Sequence, residues 1–276
     1  MNQFRPTRFE VLPTIIKNLL IINGLVFLAQ NTFGGPMSSF SIENYFALHA
    51  WQSELYQPWQ LVTHMFLHGD FGHILGNMFA LWMFGSILEN VWGPKRFLLF
   101  YFLCGLGAAV IHLLILSYEF IPLSNEYQTL LTLSKSNSPG FADAVLKYAQ
   151  THRIPLSRIL SDNKVSLSTP GLAPELMELI TTYYNKTINT ATLGASGAVF
   201  GILIAFVYLF PNTHIYIYFL FPIKAKWLGI LYFAFELYKA LENSAGDNVA
   251  RWAHVGGAIV GFVLVYLWKK KENSYL

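Results

Sequence analysis

Four polar side chains that lie inside otherwise apolar stretches are the residues of this chain best suited to chemistry. They are Ser196, His254 and the pair His73 and Asn77. A serine hydroxyl is a weak nucleophile at neutral pH and needs an adjacent base, which a neutral histidine can supply. Amide and imidazole N–H groups can stabilise the oxyanion that forms when a peptide carbonyl is attacked. Together these residue types predict hydrolysis of an amide bond by a serine nucleophile.

Each of these residues is expected to have a distinct role. His254 takes the proton from Ser196 and returns it to the leaving amine. His73 and Asn77 are four residues apart, so on a helix they share one face and can donate to the oxyanion with the backbone N–H of Ser196. Phe200 follows Ser196 by one helical turn and is expected to hold the imidazole by packing. No acidic residue in the neighbouring apolar stretches is placed to orient the histidine, so the prediction is a serine–histidine dyad.

The composition indicates that membrane-spanning helices carry these residues. Of 276 residues, 54% are hydrophobic and only 12% are charged, against roughly a quarter charged in soluble domains. The net charge of +3 comes partly from a lysine cluster at 269–271, which is typical of a membrane flank and not of a nucleic-acid-binding surface. The single cysteine, Cys104, excludes an intrachain disulfide. Neither a cofactor nor a nucleic-acid partner is predicted.

Charged residues bound six predicted spans, because a charge near the middle of a bilayer costs about 2.5–3.5 kcal/mol. The fifth span is weak, since it carries Lys226, Glu236 and Lys239. The predicted fold class is therefore all-α, a polytopic membrane protein with a bundle of six transmembrane helices. The spans cover approximately residues 13–33, 70–89, 96–119, 190–210, 225–241 and 252–268.

Basic residues near the spans predict the orientation. Six spans put Arg5, Arg8, Lys95 and Arg96 on the same side as the terminal lysines, so both termini are expected in the cytoplasm and the protein in a bacterial cytoplasmic membrane. No cleavage site follows the first span, which is interpreted as a retained anchor. The four candidate residues then share a layer roughly 5–10 Å below the extracytoplasmic surface.

Two connections on the extracytoplasmic side are long. Residues 31–69 are rich in aromatic side chains and are expected to lie at the membrane interface or to dip into it. Residues 119–189 are interpreted as an extracytoplasmic insertion between helices 3 and 4, within a single membrane domain of residues 1–276. This insertion has helix-like patches over 141–150 and 174–184. A partly ordered spacer is the alternative interpretation.

Small residues explain how two of the predicted helices could approach each other. Gly197-x-x-x-Gly201 lies in the fourth predicted helix, and Gly257-x-x-x-Gly261 lies in the sixth. Such patterns let helix backbones pack closely in lipid. Each pattern alone indicates a packing surface, but a serine and a histidine beside matching surfaces favour a chemical site.

The motifs resemble those of the rhomboid family of intramembrane serine proteases. Glu89 and Gly93 also look like family positions, and the likeness covers about residues 59–269 outside the insertion. The matching segments occur in family order in the second, fourth and sixth predicted helices: His73-x-x-x-Asn77, Gly194-Ala195-Ser196-Gly197 and Ala253-His254-x-x-Gly257-x-x-x-Gly261.

The resemblance implies a six-helix core that cleaves single-pass membrane proteins within the bilayer. It implies that Ser196 and His254 are catalytic, and that His73 and Asn77 form the oxyanion hole. Three departures are visible, at Trp59-Gln60 where many members have Trp-Arg, at Phe200 where tyrosine is common, and at Val249 where glycine is frequent. None of them removes a reacting group.

Other classes of protein are less well supported by the residues. A metal-dependent protease would use the cluster His64, His68 and His73, but the cluster lacks the glutamate of a His-Glu-x-x-His site, so no metal site is predicted. The six predicted spans contain no pair of aspartates for an aspartyl protease, and no inverted repeat indicates a transporter. The remaining alternative is a non-catalytic rhomboid-like protein that binds transmembrane helices.

Overall fold

The computed structural model describes residues 9–33, 41–136, 138–152, 154–162, 173–217, 221–242 and 250–273. These residues are mainly helical. A 3-10 turn, His64–Phe66, follows the helix Gln60–Thr63, and a π-helical turn, Leu81–Gly85, joins the helices Phe71–Ala80 and Ser86–Trp92. The α-helices in chain order are α1 (Thr14–Phe33), α2 (Ile42–Phe46), α3 (Gln60–Thr63), α4 (Phe71–Ala80), α5 (Ser86–Trp92), α6 (Pro94–Lys135), α7 (Phe141–Thr151), α8 (Leu156–Asp162), α9 (Ala173–Ile188), α10 (Ser196–Leu209), α11 (Ala225–Glu242) and α12 (Arg251–Asn273).

Four helical stretches in the described residues are long and apolar enough to cross a membrane. They are Thr14–Phe33, Phe71–Trp92, Pro94–Lys135 and Arg251–Lys270, and α10 is a shorter apolar helix. The second of them is α4, the π-helical turn and α5 in continuous sequence. Helix α11 has the predicted position, but its charged residues keep it outside this group. The chain therefore has the character of a multi-pass membrane protein.

Two predicted helix ends differ from the observed ones for identifiable reasons. The fourth predicted span was expected to begin near residue 190, whereas α10 begins at Ser196. Gly194 adopts φ +126°, a conformation that only glycine reaches easily, and it prevents the helix from extending towards the N-terminus. Helix α6 continues to Lys135 past Glu119 and contains Pro122, because a charged residue ends an apolar stretch without ending a helix.

The mainly helical structure agrees with the all-α prediction, and one short segment is extended. Strands β1 (His214–Ile217) and β2 (Phe221–Lys224) form an antiparallel pair between α10 and α11. His214 pairs with Lys224, and Ile217 pairs with Phe221. The sequence indicated only a break at Pro211-Asn212, since a single short hairpin has too few alternating positions to be recognised.

The chain divides into two compact units. The first comprises Met1–Leu48, Leu55–Leu113 and Ala191–Leu276, and it contains all four candidate residues. Its core joins apolar residues of α1, α6, α10 and α12, among them Ile16, Phe97, Phe100, Ile202 and Val265.

The second unit comprises His49–Glu54 and Leu114–Thr190. Its core is formed by residues of α6 to α9, including Leu130, Val145 and Leu176. The rings of Tyr127 and Tyr184 stack with centroids 3.9 Å apart. Helices α7 and α9 cover the patches predicted over 141–150 and 174–184. The side of the membrane on which this unit lies stays a prediction.

Glycines bring α10 and α12 into direct backbone contact, as their spacing predicted. A Cβ atom on Gly257 would overlap the carbonyl oxygen of Gly197, and a Cβ on Gly261 would lie 2.6 Å from the Cα of Gly201. Real Cβ atoms do not approach backbone atoms this closely. Contact between the two helices therefore requires glycine on the α12 side, and it fixes the position of α12 against α10.

The buried carboxylate of Glu89 connects α5 to the start of α1. Its two oxygens accept hydrogen bonds from the backbone N–H groups of Ile15 and Ile16, each at 2.9 Å. Asn90 exchanges two further hydrogen bonds with the backbone of Glu10. The first N–H groups of a helix have no intrahelical acceptors, so Glu89 supplies acceptors for the first turn of α1.

Candidate active site

Ser196 is the first residue of α10 and lies directly after the sharp bend at Gly194. The bend is held by a hydrogen bond of 2.9 Å from the Gly194 backbone N–H to the carbonyl oxygen of His64. A Cβ on Gly194 would come within 2.8 Å of the His73 ring, and the φ of +126° at this position is one that only glycine adopts easily. The bend therefore places Ser196 at the N-terminus of α10.

His254 lies in the first turn of α12 and is hydrogen-bonded to Ser196. Its Nε2 atom is 2.9 Å from Ser196 Oγ, and its Nδ1 atom is 2.9 Å from Oε2 of Glu236. An ionised carboxylate only accepts hydrogen bonds, so Nδ1 donates to Glu236. In the neutral ring Nε2 then accepts a hydrogen bond from the Ser196 hydroxyl. This is the tautomer in which histidine can act as a base towards the serine.

Glu236 corrects the expectation that no acidic residue reaches the histidine. It lies on α11, which packs against both α10 and α12, and its side chain is buried with 4% exposure. Arg251 Nη1 lies 3.2 Å from each carboxylate oxygen of Glu236. The sequence showed Glu236 only as an isolated charge in a weak span. It could not show which neighbouring helix the carboxylate would face.

Phe200 packs against the imidazole as its spacing predicted. The rings of Phe200 and His254 are stacked, with centroids 4.3 Å apart and an angle of 13° between their planes. Tyr232 of α11 contacts the Phe200 ring at a centroid distance of 5.0 Å. Phenylalanine, in place of the tyrosine common in the family that the motifs resemble, thus retains an aromatic face against the imidazole.

His73 and Asn77 lie on α4, which contacts α10. Asp70 caps this helix by accepting from the His73 backbone N–H at 2.8 Å. The Gly69 backbone N–H donates to His73 Nδ1 at 3.4 Å, which leaves Nε2 as the protonated nitrogen of a neutral ring. The buried Nδ2 of Asn77 has no hydrogen-bond partner among the described residues. A buried donor of this kind is costly, and an incoming acceptor would satisfy it.

Gln60 occupies the departure from the family pattern in the segment before α4. Its side chain is fully buried, and Nε2 donates to the carbonyl oxygens of Leu55, Asn44 and Tyr45 at 2.9, 3.3 and 3.3 Å. Its Oε1 accepts from the Gln57 backbone N–H at 3.1 Å. The amide therefore anchors this segment with hydrogen bonds to the backbone.

The three histidines of the metal-site alternative make different contacts. His64 Nδ1 lies 2.7 Å from the Gln60 carbonyl oxygen and donates to it, and His68 packs edge-on against the His73 ring. In the described part of the chain, no group of three histidine, cysteine, aspartate or glutamate residues is arranged to hold a metal ion.

His112 is a further buried histidine that the sequence did not single out. It lies on α6, and its Nε2 is 2.9 Å from Oγ1 of Thr192, two residues before the bend at Gly194. An isolated histidine in an apolar helix is a weak signal in sequence. Its contact with the segment leading to Ser196 depends on tertiary packing alone.

Four helical stretches of membrane-spanning length, together with a serine on α10 hydrogen-bonded to a histidine on α12, characterise a polytopic membrane protein that carries a serine–histidine pair. The Rhomboid domain profile matches residues 55–131 and 166–271, so about two thirds of the sequence is matched. The chain belongs to the rhomboid family. The family resemblance seen in the motifs is thereby confirmed.

Curated relatives extend this similarity over most of the chain. RHOMBOID-like protein 12, mitochondrial, from Arabidopsis thaliana is 25% identical over 90% of the chain and 56% of its own length. An uncharacterized mitochondrial rhomboid protein from Schizosaccharomyces pombe is 29% identical over 91% of the chain and 64% of its own length. The chain thus spans less than two thirds of either relative. Rhomboid protease GluP from Bacillus subtilis is 30% identical over 36% of the chain and 19% of its own length.

Proposed function

We propose that the protein is an intramembrane serine endopeptidase that cleaves transmembrane segments of single-pass membrane proteins. The observation that carries this proposal is the hydrogen bond of 2.9 Å between Ser196 Oγ and His254 Nε2. The histidine is buried and the serine is half-buried, between helices joined by direct backbone contact. A nucleophile paired with a base in this protonation state is the minimum arrangement for acyl transfer.

The reaction follows from these two side chains. The Ser196 oxygen bonds to the scissile carbonyl carbon while its proton passes to His254 Nε2, and the carbonyl electron pair moves onto oxygen. When the carbonyl re-forms, the carbon–nitrogen bond breaks and the amine leaves with the proton from Nε2. Water then attacks the ester, gives one proton to His254, and releases the carboxylic acid as the serine regains its proton.

The proposed oxyanion hole uses donors that face the start of α10. His73 Nε2 adjoins Gly194, and Asn77 has an unpartnered buried amide. The backbone N–H of Ser196 is free of helical acceptors, since it belongs to the first turn of α10. Removing one such donor typically costs about 2.7–4 kcal/mol of transition-state stabilisation. Both side chains are therefore expected to affect turnover more than substrate binding.

We further propose the membrane arrangement that the sequence predicts. Six spans include the short apolar helix α10 and the charged helix α11, both termini face the cytoplasm, and the second unit forms the predicted insertion at residues 119–189. The names of the two extensive relatives refer to mitochondria, so they lend no support to a bacterial cytoplasmic membrane. A substrate helix would unwind locally to expose a peptide bond to Ser196, because extended backbone at membrane depth is tolerated where protein or water surrounds it.

Cleavage of a reporter single-pass substrate in proteoliposomes tests the proposal. Ser196→Ala and His254→Ala are each expected to lower the cleavage rate by roughly a thousandfold or more, because the pair acts as a unit. Matched controls are Ser161→Ala and His214→Ala, which remove exposed side chains of the same types. Both controls are expected to cleave at the wild-type rate.

The same assay separates the alternatives. Substrate binding without cleavage by folded wild-type protein, over several substrates, would favour the non-catalytic helix-binding alternative. Loss of cleavage on chelation would favour a metal-dependent reaction that uses the histidine cluster. The proposal expects cleavage that survives chelation and disappears in both alanine variants.

A further inference from the structure

We propose that Glu236 is a positioning residue that completes a Ser196–His254–Glu236 triad. The inference rests on the proposed function, since a positioning role has meaning only if Ser196 and His254 react. It replaces the serine–histidine dyad that the sequence and the family resemblance imply. The three residues come from three different helices, α10, α12 and α11.

Two hydrogen bonds connect the serine hydroxyl, the imidazole and the carboxylate in sequence. Ser196 Oγ donates to His254 Nε2 at 2.9 Å, and His254 Nδ1 donates to Glu236 Oε2 at 2.9 Å. A carboxylate on Nδ1 excludes the tautomer in which Nε2 carries the proton and cannot accept the serine proton. It also stabilises the imidazolium that forms during attack, without itself becoming protonated.

The charge on Glu236 is maintained by Arg251, one helical turn before His254 on α12. Arg251 Nη1 lies 3.2 Å from both carboxylate oxygens, so Oε2 interacts with the guanidinium and the imidazole together. A buried carboxylate is expensive unless it is paired and hydrogen-bonded. Here the pairing explains how a charged residue persists in the weak fifth span.

A purely structural role for Glu236 is the competing explanation. The Glu236–Arg251 ion pair would then serve only to hold α11 against α12. This explanation accounts for the contact with Arg251, but it does not require one carboxylate oxygen to lie in hydrogen-bonding position to the ring nitrogen opposite Ser196. The two explanations differ in what a neutral isostere does to the pH dependence of the reaction.

The test compares Glu236→Gln and Glu236→Asp with the wild type in the full-length protein. Glu242→Gln is the matched control, since Glu242 is an exposed carboxylate on the same helix that pairs with Lys239. Glu236→Gln is expected to lower kcat by at least about tenfold while KM stays within about twofold, because Glu236 acts through His254 and does not touch substrate. The control is expected to retain the wild-type kcat.

The pH profile of kcat/KM provides a readout that a structural role would not move. Removing a negative charge beside the imidazole makes imidazolium harder to form, so the acidic limb is expected to shift by about one pH unit to lower pH in Glu236→Gln. Glu236→Asp keeps the charge and is expected to retain more of the wild-type profile. Among the described residues, the other titratable or charged groups near His254 and Glu236 are His73 on α4, His112 on α6, Tyr232 on α11 and Arg251 on α12. All of them are unchanged in these variants.

A second assay separates failure of this inference from failure of the proposed function. A fluorophosphonate probe reports the serine directly, because the Ser196 oxygen bonds to phosphorus, fluoride leaves, and the hydroxyl proton passes to His254. If the wild-type protein neither cleaves substrate nor reacts with the probe, both the proposed function and the triad are contradicted. Active wild type with unchanged kcat and pH profile in Glu236→Gln would overturn the triad alone.

Folding of the variants is measured by thermal unfolding in detergent. If Glu236→Gln does not fold, Glu236→Asp decides the question, because it preserves the ion-pair charge and shortens the reach by one methylene group. A severalfold fall in kcat and in probe labelling at wild-type stability supports the positioning role. Wild-type kcat in a stable Asp variant would overturn it.

Discussion

The aromatic ring of Phe200 lies flat against the imidazole of His254, with ring centroids 4.3 Å apart. The in-plane nitrogens of the same imidazole are held by Ser196 and Glu236. One contact therefore limits tilting of the ring, and the two hydrogen bonds limit its rotation. The base is fixed by contacts from α10 and α11 as well as by its own helix.

Replacing Phe200 tests the contribution of ring stacking. Phe200→Leu is expected to lower kcat about two- to tenfold, because an aromatic pair contributes about 0.5–1.5 kcal/mol beyond its buried area. Phe200→Tyr keeps the ring and is expected to retain most of the activity. Steady-state cleavage of the reporter substrate measures both, and equal rates for Phe200→Leu and the wild type would contradict a role for stacking.

A methyl group on Gly257 is expected to separate α10 from α12. In Gly257→Ala the added carbon meets the backbone of Gly197, which cannot move aside as a flexible side chain would. We expect a loss of about 1–3 kcal/mol in stability. We also expect that the fluorophosphonate probe no longer labels Ser196. Gly24→Ala in α1 is the control, since open space surrounds that position. Thermal unfolding in detergent measures the difference, and a Gly257→Ala variant as stable as Gly24→Ala would refute the close contact.

The hydrogen bonds of Gln60 predict that replacing this glutamine lowers the stability of the protein substantially, although glutamine is usually a surface residue. Gln60→Ala removes the hydrogen bonds that this fully buried amide makes to three backbone carbonyl oxygens and one backbone N–H. It is expected to lower the free energy of unfolding by about 2 kcal/mol or more. Gln52→Ala removes an exposed glutamine and is expected to change it by less than about 0.5 kcal/mol. Denaturant unfolding of both variants provides the comparison. Similar stabilities would show that Gln60 does not anchor this segment.

Acidification is expected to destabilise the protein through His64, which precedes the α4 span. Burial lowers the pKa of His64 from 6.5 to about 4. The unfolded chain therefore binds a proton at a higher pH than the folded protein, so stability present above pH 6.5 is lost as the pH falls towards 4. One such histidine contributes a slope of at most about 1.4 kcal/mol per pH unit.

Unfolding measured between pH 7.5 and pH 4.5 checks this dependence. His64→Gln is expected to reduce the slope, because the titrating group is removed. His68 lies nearby, and burial together with the positive charge of a protonated His73 lowers its pKa to about 4, so part of the slope remains. His214→Gln, in exposed strand β1, serves as the control. An identical slope in the wild type and in His64→Gln would contradict the prediction.

Features carried by local spacing were predictable from the sequence. Gly257 and Gly261 share a face of one helix. Their spacing indicates a surface for close helix packing even when the neighbouring helix is not known. The four-residue spacing from Ser196 to Phe200 likewise indicated that the Phe200 ring would pack against the imidazole beside the serine. The structure has these contacts, whereas the catalytic roles of the residues stay predictions.

Features that depend on which helices meet were not predictable in the same way. Glu236 has no neighbour of matching chemistry within its own helix that would have indicated His254 as its partner. A hydropathy profile shows such a carboxylate only as a charged residue that weakens a predicted span. The bend before Ser196 was not predicted for a related reason. A glycine can adopt a positive φ, but its presence in a sequence does not show that it does so.

The carboxylate of Glu89 has a consequence for depth in the bilayer. Because it binds the first-turn N–H groups of α1 while lying at the end of the α4–α5 stretch, the beginning of one span and the end of the other are held at the same level. In the proposed membrane arrangement, two consecutive spans joined in this way run in opposite directions, with these two ends on the same side of the bilayer. A single buried side chain thus constrains the relative direction of the two spans, independently of the charged residues outside the membrane.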